Sequence, residues 1–208
     1  SGTVGASVGV NEDYIEHIDT YLEAGADFIC IDIAHGHLSL CLEAVSEISS
    51  EYPSIDLMAG NVATGEAALD LLEAGADSIK VGIGGGSACR TREVAGVGVP
   101  QFTAVRNVAE AVPDSAHVIA DGGVQKSGDI VKALMAGADA VMVGSFVAKS
   151  YEAPGETIKI DGVTYKEYRG MASTVARDNR TDVEDDDTTS EGAVARKEVK
   201  GSVSDILQ

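Results

Sequence analysis

Tryptophan is absent from this 208-residue chain, and aromatic residues make up only 4% of it. Hydrophobic residues still reach 44%, so a buried core must be built from aliphatic side chains. No run of about 18 apolar residues occurs, so no membrane-spanning helix is expected. The first residues hold no basic stretch followed by an apolar one, so no signal peptide is expected. Cysteine is limited to Cys30, Cys41 and Cys89. That odd count, without metal-type spacing, argues against a disulfide framework and for a reducing, cytoplasmic setting. Basic residues are scarce beside acidic ones: 15 Lys and Arg face 34 Asp and Glu, for a net charge of −19. Such a chain repels nucleic-acid phosphates and anionic lipid, so neither is an expected partner. The acid excess reads as a solvated surface suited to high salt, where screening weakens self-repulsion. A halophilic cytoplasm is the expectation.

What is present is a repeated phrase. LEAGADFICID at 22–32, LEAGADSIKVG at 72–82 and LMAGADAVMVG at 134–144 share one pattern. Each reads as the last turn of a helix, a glycine cap and a buried strand. The strands within these phrases are near-continuous apolar runs, as in parallel sheets covered on both faces. TVGASVGV (3–10), IDLMAGNV (55–62) and HVIADGG (117–123) add three strand-like segments. Amphipathic helical patterns fill the gaps. Six strands alternating with helices predict an α/β fold with a parallel sheet. A doubly wound sheet fits that pattern too. Asp32, Asn61, Gly82, Asp121 and Ser145 close the strands, however, and such polar or flexible ends describe the active face of a (β/α)8 TIM barrel. With six β/α units, the chain is read as an N-terminally truncated portion beginning at the third strand.

Residues 1–155 are read as barrel strands three to eight, with a cysteine-bearing loop at 82–104. Residues 156–168 alternate around Asp161-Gly162, a hairpin signal. Residues 170–192 are polar, acidic and aperiodic. The stretch 156–192 is therefore read as a hairpin followed by a mobile flap, and 193–208 as a C-terminal segment of the same domain.

The densest chemical signal is GIGGGSACRT at 82–91. Glycines let the backbone approach a ligand closely, and their carbonyls can ring a cation. A plain tight turn is the simpler reading, but a thiol on the same loop is accessible and calls for more. Cys30 and Cys41 fall in strand and helix patterns and read as core. ADGG (120–123) and VGS (143–145) follow two later strands, where glycine-rich loops of a barrel form a phosphate site. Asp121 could accept hydrogen bonds from a ribose diol. Together these loops point to a nucleotide or a sugar phosphate.

KVGIGGGSACRTREVAGVGVPQ, IDIAHGH, AGNVATGEA, IADGG, VMVGS, EAPGE and YRGM resemble the IMP dehydrogenase and GMP reductase family over nearly the whole chain. The resemblance implies a (β/α)8 barrel, usually assembled as a homotetramer, acting on a purine mononucleotide. It implies that Cys89 is a nucleophile that attacks C2 of the purine to form a thioimidate, with Arg90 available to favour the thiolate. It assigns Asp121 to the ribose, and Ser87, Gly123, Gly144, Ser145 and Tyr168 to the phosphate. Gly170 and Met171 would contact the base. Asp32, Asn61 and Lys80 would face the nicotinamide cofactor. Carbonyls of Gly84, Gly86 and Cys89 would hold potassium.

The two activities share the intermediate and differ in how it is resolved. A reductase would take GMP and NADPH to IMP and ammonia, using Thr91 and Glu191. A dehydrogenase would take IMP, NAD and water to XMP, using an Arg-Tyr pair on its flap. Residues 172–190 contain no Arg-Tyr pair, so the reductase is the leading expectation. EVAGVGVPQ and IDIAHGH look more like dehydrogenases. A non-catalytic nucleotide-binding fragment is the remaining alternative, against which intact Cys89, Asp121 and Glu191 argue.

Overall fold

The structure is a computed structural model and describes residues 2–11, 13–169 and 194–207. Contacts divide the chain into two compact units. The first comprises residues 1–83, 99–121 and 133–141; the second comprises 84–98, 122–132 and 142–208.

The first unit is built on strands β1 (Gly5–Val8), β2 (Phe28–Asp32), β3 (Asp56–Val62), β4 (Ser78–Val81) and β5 (His117–Asp121), with β6 (Ala140–Met142) completing the sheet. Strand order is β1-β2-β3-β4-β5-β6, and each successive pair from β1 to β5 is parallel. Helices α1 (Tyr14–Glu23), α2 (Ser39–Glu51), α3 (Gly65–Glu73) and α5 (Gln101–Ala109) connect these strands. A short helix, α4 (Thr91–Val94), precedes α5, and α6 (Ser127–Met135) leads to β6. Sequential, parallel strand order with a helix after each strand is the topology of a (β/α)8 barrel, here with six of its strands.

The core is aliphatic, as the composition requires. Ile29, Ile31, Leu57, Ala59, Ile79, Val81, Val118 and Ala120 from the strands are buried. So are Ile18, Val45, Ile48, Leu71, Val105 and Val108 from the helices. Cys41 is fully buried and Cys30 nearly so.

The repeated AGAD phrase has one physical job, performed three times. Gly25, Gly75 and Gly137 take positive φ values of 95°, 114° and 104°, a conformation that glycine adopts without steric cost. The following alanine then donates to a carbonyl five residues back: Ala26 to Tyr21, Ala76 to Leu71, Ala138 to Ala133. The aspartate after it clamps the next strand to its predecessor. Its backbone N–H donates to Val4, Leu57 or Val118, and its carboxylate accepts from the N–H of that same residue at 2.7–2.8 Å. Each helix end therefore sets the register of the strand that follows.

In the second unit, β7 (Thr157–Ile160), β8 (Val163–Arg169) and β9 (Val194–Glu198) form an antiparallel sheet, with the short helices α7 (Gly144–Val147) and α8 (Val203–Leu207). The turn joining β7 to β8 places Asp161 and Gly162 at φ 49° and 82°. Two successive positive φ values mark the hairpin turn that Asp-Gly predicts.

The clamp is testable at Asp77, an exposed residue whose carboxylate accepts a part-buried bond from the Leu57 N–H. Asp77→Ala should lower the stability of the full-length protein by about 1–2 kcal/mol. Asp77→Asn, which keeps an acceptor, should lose less than half of that. Urea unfolding measures both, and an unchanged midpoint for the alanine variant would show that the clamp contributes nothing.

Candidate active site

In the first unit, one row of residues runs across the sheet. Asp32 lies opposite Gly60, and Gly60 lies opposite Lys80. Lys80 in turn lies opposite Ile119, two residues before Asp121. Side chains two apart share a face, so this row gathers two carboxylates and an ammonium. Gly60 is the gap that lets them meet. A Cβ placed there would lie 2.7 Å from Lys80 Cβ, so no side chain could stand between Lys80 and Asp32.

The Lys80 ammonium reaches Asp32 Oδ1 at 2.8 Å and Asp121 Oδ2 at 2.6 Å. Its side chain is 2% exposed, while those of Asp32 and Asp121 are 41% and 25% exposed. Burial pulls the Lys80 pKa down, but the Asp121 and Asp32 carboxylates push harder, and the net shift is upward. Lys80 therefore stays charged. Asn61 Nδ2 donates to Asp121 Oδ2 at 2.9 Å and to the Gly82 carbonyl at 2.8 Å. This fixes the amide, and its Oδ1 is buried with no partner among the described residues. Asp121 Oδ2 thus takes two bonds, and the carboxylate is held from one side.

The sequence reading grouped Asp32, Asn61 and Lys80 on the cofactor side and gave Asp121 to the ribose; the structure brings all four side chains together. It missed Gln101, whose Nε2 donates to the Val81 carbonyl at 2.7 Å and ties the start of α5 to the end of β4. A glutamine directly after Pro100 at a helix start was the available signal. It also missed His37, whose Nε2 lies 2.6 Å from Asp70 on α3.

In the second unit, Cys89 is exposed on its loop. Its backbone N–H donates to the Gly86 carbonyl at 3.1 Å, and its thiol donates to Thr91 Oγ1 at 3.1 Å. Arg90 pairs with Glu93 at 3.3 Å. Gly84 has a φ of 75°, a value that favours glycine. Ser87 is exposed on the same loop. Gly122 and Gly123 take φ values of 99° and 83°. A Cβ at Gly122 would lie 3.1 Å from Gly85 and Gly86 backbone atoms, so this glycine backbone packs on the thiol loop. Gly144 and Ser145 open α7, and a Cβ at Gly144 would lie 3.4 Å from Tyr168 Oη. Gly170, Met171 and Glu191, with the flap assigned to 170–192, lie outside the described residues.

The three thiols differ sharply. Burial pushes Cys30 up to about 12; Lys80 opposes this shift, while Asp32 and Asp121 add to it. Burial alone pushes Cys41 up to about 11. Neither forms a thiolate near neutral pH. Cys89 alone combines exposure with a hydroxyl partner.

Fold and site together define a (β/α)8-barrel protein with charged groups gathered at the carboxyl ends of its strands and an exposed thiol on a glycine-rich loop. The family model described as "IMP dehydrogenase / GMP reductase domain" matches residues 1–208, and the chain belongs to that family. It is 47% identical to the inosine-5'-monophosphate dehydrogenase of Aquifex aeolicus, over 98% of this chain and 43% of that protein. It is 54% identical to the enzyme of the same name from Chlorobaculum parvum, over 82% of this chain and 35% of that protein. The like-named protein of Bacillus subtilis is 48% identical, over 98% of this chain and 43% of its own length. The chain thus spans less than half the length of these curated relatives.

The thiol ranking predicts selective alkylation. In the native full-length protein, iodoacetamide at pH 7.5 should label Cys89 first. Cys30 and Cys41 should react only after denaturation. Peptide mass spectrometry reads the order, and early labelling of Cys30 would contradict the burial assignment.

Proposed function

We propose that the protein carrying this chain is an NAD-dependent IMP dehydrogenase that oxidises IMP to XMP. The observation that carries this reading is the 47–54% identity to relatives bearing that name. It replaces the reductase expectation, which rested on residues 172–190 and carried NADPH as its cofactor.

In this reading Cys89 Sγ adds to C2 of the purine after losing its proton. Thr91 Oγ1, 3.1 Å away, is placed to accept that proton or pass it on. NAD, when bound, supplies the hydride acceptor for the hydrogen leaving C2. Water then attacks the thioimidate, the C–S bond breaks, and the thiol regains a proton. Asp121 reads the ribose diol, held by Lys80 and Asn61 so that its outer oxygen faces the sugar. Asp32 faces the cofactor, and Lys80 ties it to Asp121. Ser87, Gly123, Gly144, Ser145 and Tyr168 take the phosphate; Gly170 and Met171 take the base, and Glu191 assists proton transfer.

A monovalent cation suits the loop, because backbone carbonyls are neutral oxygen donors. Gly84, Gly86 and Cys89 would hold it, and it would order the thiol loop. The Gly86 carbonyl already accepts from Cys89 N–H and keeps a second lone pair for that purpose. The assembled enzyme is taken as a homotetramer from the family resemblance alone, and the acid excess supports a salt-rich cytoplasm as its setting. No helix among the described residues is long and apolar enough to cross a membrane.

A reductase remains the second reading, favoured by one observation: 172–190 lacks an Arg-Tyr pair. The full-length protein should form NADH and XMP from IMP and NAD. Cys89→Ala should lose on the order of 10³-fold in kcat or more while still binding IMP. GMP-dependent oxidation of NADPH with ammonia release, and no XMP, would overturn the dehydrogenase reading.

A further inference from the structure

Basic residues are few in this chain, and they are unevenly placed. Seven of the 15 Lys and Arg fall within 142–169 and 194–207, where only six Asp and Glu occur. A cation in so acidic a protein readily finds a carboxylate. Lys80, Arg90, Arg106 and Lys132 all do. Lys166 and Lys197 have no ion pair among the described residues.

These two lysines are directly opposite one another in the β8–β9 register. Like charges in such a pair repel, so the arrangement needs an offset. Lys166 is 7% exposed and donates to the Tyr151 and Ala153 carbonyls. Lys197 is half-buried and has no such acceptor among the described residues. Its ammonium sits over the Tyr168 ring, 5.4 Å from the centroid. A ring face orients an ammonium but leaves N–H donors free.

Strand alternation puts Lys166, Tyr168, Ala195 and Lys197 on one face. Tyr168 reaches Gly144 through its hydroxyl end and Lys197 through its ring. Tyr168 thus carries the ammonium on its ring and lies against Gly144 at its hydroxyl, so Lys197 is joined through Tyr168 to residues given above to the phosphate.

We propose that Lys197 is a further phosphate-binding residue, held by the Tyr168 ring so that its ammonium pairs with the phosphomonoester dianion of the bound nucleotide. The proposal rests on the purine-nucleotide reading for the identity of that ligand. The chemistry it needs is only a phosphate dianion. A chain of net charge −19 repels such a ligand at long range, and a local cation offsets that repulsion where the backbone cradle closes.

The test is calorimetric titration of the full-length protein with IMP, with inosine and with inorganic phosphate, all at fixed ionic strength. Lys197→Gln should weaken IMP and inorganic phosphate about tenfold, as expected for a charge-assisted bond, and leave inosine unchanged. Lys197→Arg should stay within about threefold of the parent, because it keeps the charge and the stacking. Lys200→Gln, an exposed change of equal charge, should have no effect. Melting without ligand checks folding, and Lys197→Met stands in if the glutamine variant does not fold. Unchanged phosphate and IMP affinity on loss of the Lys197 charge would overturn the proposal. Equal weakening of IMP and inosine would also overturn it, because loss of a phosphate contact leaves nucleoside affinity unchanged. A parent protein that binds phosphate through Lys197 but no purine compound would sink the purine reading and leave this assignment standing. A parent that binds neither would overturn both.

Discussion

One buried ammonium organises the first unit's functional face. Lys80 leaves the middle of the sheet and joins Asp32 on β2 to Asp121 on β5. Without that charge, two carboxylates and a buried amide would share one row, and ionising both acids would be costly. With it, each carboxylate is fixed in place and one oxygen of Asp121 is committed inward. Under the proposed function Asp121 reads a diol, and such a carboxylate needs this kind of restraint, since positioning energy is lost when the acceptor wanders.

The row exists because of the sheet beneath it. Parallel strands in sequential order bring residues from β2, β3, β4 and β5 into line, and the AGAD clamps hold that register. Asp77 fixes β4 against β3, so it indirectly sets where Lys80 stands relative to Gly60. A slip of one residue would turn Lys80 to the opposite face of the sheet. The same phrase thus links a local glycine conformation to the chemistry at the strand ends.

Much of this was legible in the sequence. The repeated phrase announced the caps and the buried strands, the polar strand ends announced side chains that gather in one row, and GIGGGSAC announced the exposed thiol. Asp161-Gly162 announced its hairpin. The contacts were not legible, because they depend on register between distant segments. Nothing local says that Gly60 is small to let Lys80 reach Asp32, or that the AGAD aspartates bond the preceding strand. Gln101 went unnoticed because its target is a backbone carbonyl 20 residues away. The pairing of Lys166 with Lys197 across β8 and β9 was equally hidden. The choice between dehydrogenase and reductase was drawn from the flap's composition, whereas similarity over the barrel favours the former.

The central claim is that the Lys80 charge holds both carboxylates. Double-mutant cycles combining Lys80→Met with Asp121→Asn, and with Asp32→Asn, measure it in the full-length protein by denaturant unfolding. The account predicts a coupling of about 1–3 kcal/mol for the Lys80–Asp121 pair, and a smaller one for the more exposed Asp32. Couplings below about 0.3 kcal/mol for both pairs, within the range seen for independent sites, would contradict it.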